Sequence, residues 1–168
     1  MTQDLFDISK AQSGNDNVIF EKLDVALLIQ QALGELDNEI KGSGLVFCVE
    51  APKDVYILAD GRKMSRVLNN LIQNILKYTL KGTRVFIAAS EKDGTVELEL
   101  KNISAYPLNF NPDEITGRFV RGDEARSTEG NGLGLAIAKS YTELCGGSFE
   151  VVVDGDMFKT SLKFKKHS

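Results

Sequence analysis

Three side chains in this 168-residue sequence have the types and spacing for chemistry at one place. Asn70, Asn74 and Lys77 stand at i, i+4 and i+7 within Arg66 to Thr79. At ~100° per residue this spacing sets two amides and an ammonium in one narrow helical stripe. Met64, Val67, Leu68, Leu71, Ile72, Ile75 and Leu76 form a broad apolar face beside it. Tyr78 falls between stripe and core, and Asn69 projects from the opposite edge. Asparagine weakens a helix by up to ~0.7 kcal/mol relative to alanine, because its amide competes for backbone hydrogen bonds. Two of them one turn apart describe either a solvated face or a ligand site. An amide oxygen is a hard, neutral ligand for Mg²⁺, which takes few protein ligands and completes its shell with water and phosphate oxygens. Lys77, one turn on, suits a phosphate as a point charge.

A second candidate is Gly130-Asn131-Gly132-Leu133-Gly134-Leu135, which opens a helix. Helix N-termini present unpaired N–H groups and partial positive charge, and glycines let a phosphate approach the backbone. The string is no Walker A motif, lacking Gly-Lys-Ser/Thr. It is no dinucleotide fingerprint either, since a charged loop precedes it and Leu135 holds the third glycine position. That loop, Ile103 to Asn131, has no convincing period and carries Arg118, Arg121, Asp123, Glu124, Arg126 and Glu129. Connections of this length are commonly functional lids or linkers. Its arginines suit either a polyphosphate or ion pairs within the loop, which contribute little.

The stretch Asn70-Leu71-Ile72-Gln73-Asn74-Ile75-Leu76-Lys77-Tyr78-Thr79 resembles the asparagine box of the ATP-binding catalytic domain of sensor histidine kinases. These belong to the superfamily that also holds the gyrase, Hsp90 and MutL ATPases. Gly130 to Ala138 resembles the second glycine box of the same kinases, and Arg118 to Ser127 their phenylalanine box and lid. The resemblance implies ATP and Mg²⁺ as cofactors and Asn74 as the metal ligand. It implies Asn70 near the phosphates, Lys77 and Tyr78 on the nucleotide, and nucleotide contacts at Gly130, Gly132, Leu133 and Gly134. Phe119 would pin the lid, and Arg121 or Arg126 would reach the triphosphate; the sequence does not choose between them.

One box departs from the family. Where most members carry Asp-x-Gly-x-Gly, this chain reads Asn102-Ile103-Ser104-Ala105-Tyr106. Asn102 stands in place of the aspartate that accepts a hydrogen bond from the adenine amino group. Its oxygen still accepts, without the strength of a carboxylate. Ser104 and Tyr106 replace glycines, so the backbone there is less free to take positive φ. Either binding is weakened and the lid hinge stiffened, or Tyr106-Pro107 packs where the glycines turned.

The elements that must position these residues follow from pattern. Asp60 is the expected N-cap of the asparagine-box helix, and Asp24 that of a helix to about Lys41, closed by Gly42. Val18 to Leu23, Leu45 to Glu50 and Val55 to Ala59 are strand candidates. Arg84 to Glu91 and Thr95 to Lys101 alternate around Lys92-Asp93-Gly94, and a second hairpin turns at Asp154-Gly155. The last helix spans Leu133 to Cys145. This mixture predicts an α/β two-layer sandwich, a mixed β-sheet with helices packed on one face. The resemblance makes it the Bergerat-type ATP-binding fold. Asp4 to Gly14 resembles the tail of a dimerisation-domain helix, which divides the chain into 1–14 and a catalytic domain over 15–168, with its lid at 103–131.

A net charge of −4 supplies no basic field for nucleic acid. Cys48 and Cys145 lack metal-type spacing and read as reduced, buried thiols. The apolar runs are too short for a signal peptide or a membrane span, so an anchor would lie outside this chain. The implied function is a protein-histidine kinase catalytic domain. It would bind Mg²⁺-ATP and donate the γ-phosphoryl group to a histidine on the dimerisation domain of the same protein, upstream of a response regulator. The single histidine, His167, reads as an exposed tail residue, so the acceptor must come from elsewhere. The expected setting is cytoplasmic, in a parent anchored in the bacterial plasma membrane, and the fragment alone is expected to be monomeric. The alternatives are a degenerate nucleotide-binding regulatory module without phosphotransfer, and a serine kinase of the anti-sigma type.

Overall fold

Alternating apolar residues make strands, and apolar residues three and four apart make helices, in a computed structural model that describes residues 17–108 and 134–167. In chain order the elements are β1 (Glu21–Asp24), α1 (Val25–Glu35), α2 (Asp37–Ser43), β2 (Val46–Glu50), β3 (Tyr56–Ala59) and α3 (Gly61–Tyr78). They continue with β4 (Arg84–Lys92), β5 (Thr95–Ile103), α4 (Gly134–Leu144), β6 (Ser148–Asp154) and β7 (Met157–His167). The expected segment 1–14 lies outside the described residues, as does most of the expected lid.

The strands form one sheet in the order β1-β3-β7-β5-β4-β2, with β6 also paired to β7. Only β2 and β4 run parallel; the other pairings are antiparallel, so the sheet is mixed. Lys92 partners Thr95, which leaves Asp93 and Gly94 as a two-residue turn, both at positive φ (53° and 82°). Such a turn twists with the strands, which is why Asp-Gly at this place sets the hairpin register.

One face of the sheet carries the core. Ile57, Val85, Ile87, Val96, Leu98, Leu100 and Leu162 meet Val25, Leu28 and Ile29 of α1, the apolar face of α3, and Ala136, Ile137 and Ala138 of α4. Burying a side chain of this size contributes about 1.5–3 kcal/mol. The opposite face is charged, with Lys159 paired to Glu99 at 3.4 Å and the Ser161 hydroxyl donating to Glu97. This is the two-layer α/β arrangement that the sequence predicts.

Three local expectations change. The helix after Asp24 breaks at Leu36 into α1 and α2, and Gly44, at φ 78°, closes the second piece in place of Gly42. Strand β5 runs on through Ile103 because β7 continues to pair with it as far as Met157. His167 is a half-buried member of β7 in register with Tyr56, held there by the strand ladder.

Candidate functional site

Asp60 sets where α3 begins. One carboxylate oxygen accepts from the Arg62 and Lys63 N–H groups at 3.0 and 3.2 Å, and the other accepts from Ile19 N–H at 2.9 Å. Burial pushes the Asp60 carboxyl up, but the Ile19 and Lys63 N–H groups, the Lys63 charge and the Arg62 N–H outweigh it. The net result is a pKa below the ordinary value. The Asp60 N–H in turn donates to Cys145 Sγ at 3.5 Å, tying the start of α3 to the residue that follows α4. Burial raises the Cys145 thiol, as expected of an inert core cysteine, whereas Cys48 is only half-buried.

With its start fixed, α3 turns Met64, Val67, Leu68, Leu71, Ile72 and Ile75 into the core. Among the described residues, the amide stripe meets the Gly134 end of α4. Asn70 Nδ2 donates to the Gly134 carbonyl oxygen at 3.4 Å, and a Cβ built on Gly134 would lie 3.9 Å from Asn74 Oδ1. That is ordinary van der Waals contact, so packing between the helices does not demand glycine. A side chain there would instead occupy the space directly over the Asn74 oxygen. Asn69 is on the other edge, as expected, and accepts from Gln73 Nε2 at 3.0 Å.

The helix dipole places partial positive charge toward the Gly134 end of α4. The stripe therefore faces the positive end of α4, with the Asn74 oxygen beside it. Lys77 is exposed in the last turn of α3, free of the core.

Beyond Lys77 the end of α3 is stitched to the end of β5. Ala105 N–H donates to Tyr78 O and Leu80 N–H to Ile103 O, both at 2.8 Å, with Thr79 and Ser104 bridged between them. The Ser104 hydroxyl accepts from Tyr106 N–H at 3.0 Å and donates to Tyr106 O at 2.7 Å. This closes the turn without positive φ at either replaced glycine, since the described non-glycine residues with positive φ are Asp54 and Asp93. Tyr106 sets its ring edge-to-face on Tyr78, centroids 6.0 Å apart at 74°. Ser104 and Tyr106 thus pack this turn where most of the family carries glycines.

Asn102 lies two residues earlier, buried on the helix-covered face of β5. Thr79, which pattern reading passed over, is buried with no partner for its Oγ1 among the described residues. The available signal was a polar residue directly after a helix that ends inside the core. The remaining site candidates, Phe119, Arg121, Arg126, Gly130, Gly132 and Leu133, lie outside the described residues. The structure thus brings Asn70, Asn74 and Gly134 together, and stitches the Tyr78 end of α3 to the strand that carries Asn102.

Among the described residues no group of three His, Cys, Asp or Glu side chains could hold a metal ion. No described helix is long and apolar enough to cross a membrane.

Residues 59–166 match the model of the histidine kinase-, DNA gyrase B- and HSP90-like ATPase family. Curated relatives include the sensor protein VanS of Enterococcus faecium, 28% identical over 88% of this chain and 38% of the relative. The sensor histidine kinase MtrB of Mycobacterium leprae is 31% identical over 89% of this chain and 27% of its own length. The chain therefore spans only about a quarter to two-fifths of these relatives. Among solved structures, the Acinetobacter baumannii histidine kinase AdeS superposes with a TM-score of 0.82 at 18% identity, over 99% of this chain and 77% of that one. Full-length ShkA in complex with AMPPNP gives 0.77 at 23% identity, over 98% and 35%. Histidine kinase ThkA in complex with response regulator protein TrrA gives 0.74 at 19%, over 99% and 48%. These superpositions identify the fold as the Bergerat type.

Proposed function

Because the chain belongs to the histidine kinase-, DNA gyrase B- and HSP90-like ATPase family, as the ATPase domain of a sensor histidine kinase, we propose that it binds Mg²⁺-ATP beside the amide stripe of α3. It then donates the γ-phosphoryl group to a histidine on a dimerisation domain of the same protein. One observation supports this above the others. Asn70 already holds the Gly134 carbonyl, so the Asn74 oxygen and the start of α4 border the same gap.

The residues fit the group they would hold. A single neutral amide oxygen, with no carboxylate cluster among the described residues, suits an ion that takes few protein ligands. A bound Mg²⁺ would supply charge neutralisation at the phosphates. Asn74 would supply the protein ligand to it. Lys77 brings a mobile positive charge to the phosphates, the N–H groups of α4 orient them, and Arg121 or Arg126 adds a further cation from the lid. Gly130, Gly132, Leu133 and Gly134 would contact the phosphates, Tyr78 and Asn102 would serve the base, and Phe119 would pin the lid. Catalysis by this domain is positioning and charge stabilisation.

The attacking imidazole comes from outside this chain. His167 sits ten residues along β7 from Met157, the partner of Ile103. At ~3.3 Å per residue that is roughly 33 Å of strand. Segment 1–14 would be the tail of the acceptor domain, with a response regulator downstream, as ThkA was solved with TrrA. The parent would be anchored in the plasma membrane with this domain in the cytoplasm.

Calorimetric titration of Mg²⁺-ATP into the chain tests the binding step, and phosphotransfer to a supplied dimerisation domain tests the reaction. Metal-dependent binding with label on a histidine is the expected result. Binding without transfer favours the regulatory module, a reading that Asn102 motivates. Label on a partner's serine points to the anti-sigma type of kinase.

A further inference from the structure

The buried polar groups near the junction of α3 and β5 share a property that a carboxylate at position 102 would lack. Thr79 and Ser104 form a bridge, so their side chains lie on one face, and Asn102, two residues before Ser104, lies on that face as well. Of the three, Ser104 spends its hydroxyl on Tyr106. The Thr79 hydroxyl is buried without a partner among the described residues, and Asn102 is itself buried. Both groups can donate or accept: a hydroxyl by rotating, an amide by turning over about its last torsion. An ionised carboxylate only accepts.

A 6-aminopurine presents a donor at position 6 and an acceptor at N1. A 6-oxopurine presents the reverse. An acceptor-only group facing position 6 selects the amino form, since a carbonyl there would leave two buried acceptors opposed. An amide meets either edge with a full set of hydrogen bonds.

We propose that the base site of this chain takes 6-oxopurine nucleotides as well as 6-aminopurine nucleotides, with Asn102 as the residue that sets this tolerance. The inference rests on the reading of the chain as a nucleotide-binding ATPase domain. Thr79 adds a second group of either sense, so no described polar side chain on this face fixes the direction of the base hydrogen bonds.

The test is calorimetric titration of this chain with Mg²⁺-ATP and with Mg²⁺-ITP, whose bases differ only at position 6 and in the resulting N1 proton. The wild-type Kd ratio, ITP over ATP, is expected within about tenfold, because neither edge leaves a buried group unpaired. In Asn102→Asp the ratio is expected to rise at least about tenfold. A wild-type ratio above that limit overturns the proposal, and needs no variant to be folded. A ratio unchanged in folded Asn102→Asp overturns it too, by removing Asn102 from base recognition. Failure of the wild-type chain to bind either nucleotide defeats the ATPase-domain reading itself, a different result from binding ATP and refusing ITP.

Discussion

Asn70 and Gly134 are 64 residues apart in the chain, and the amide of one donates to the carbonyl oxygen of the other at 3.4 Å. This bond joins the middle of α3 to Gly134 of α4. It consumes one of the two stripe amides for architecture, while the Asn74 oxygen, one turn on, lies 3.9 Å from where a Gly134 Cβ would stand.

Replacing Asn74 by alanine is expected to weaken Mg²⁺-ATP binding roughly ten- to hundredfold, the scale of one lost charge-assisted interaction. Asn74 is only half-buried, so the thermal midpoint should barely change. Paired titrations with and without Mg²⁺ measure this. Equal loss in both would assign Asn74 to the nucleotide rather than the metal.

Gly134→Ala separates folding from binding. The new methyl would contact the Asn74 oxygen at an ordinary 3.9 Å, so the fold should keep or slightly gain stability. Nucleotide affinity should fall, because the methyl takes the space over that oxygen. A melt and a titration on the same sample give both answers.

Ser104→Ala removes the two hydrogen bonds that close the Tyr106 turn. A loss of about 1–2 kcal/mol in urea unfolding is expected. Restoring the family's residue with Ser104→Gly should be no more stable, since the turn here uses no positive φ. Recovery of full stability by glycine would contradict the role given to the hydroxyl.

Asp60→Asn tests the cap through pH. The folded carboxyl titrates below its ordinary value of 3.8, so its charge stabilises the protein above that value. This contribution is lost as pH falls through the lower folded-state pKa, where folded and unfolded forms bind the proton alike. Wild type should therefore exceed the variant near neutrality, and the gap should shrink as pH falls toward the folded-state pKa. Urea midpoints across that range read it directly.

Local patterns already determined much of this protein. The apolar period of α3, the Asp60 cap and both hairpins depend on neighbours in sequence, and each is legible there. The asparagine box and glycine box could be named from their residues alone. Position 36 was not legible, because the helix pattern continues across Leu36 and only tertiary packing turns the chain there. Nor was the end of β5, whose length β7 decides by pairing. The same holds for the altered box. From sequence, Ser104 and Tyr106 were two missing glycines. Whether the turn needed positive φ depended on what lay across from it, and only the fold put Thr79 opposite Ser104 and the Tyr78 ring against Tyr106. Residue types determine which hydrogen bonds and contacts are available; distance in space decides which of them are made.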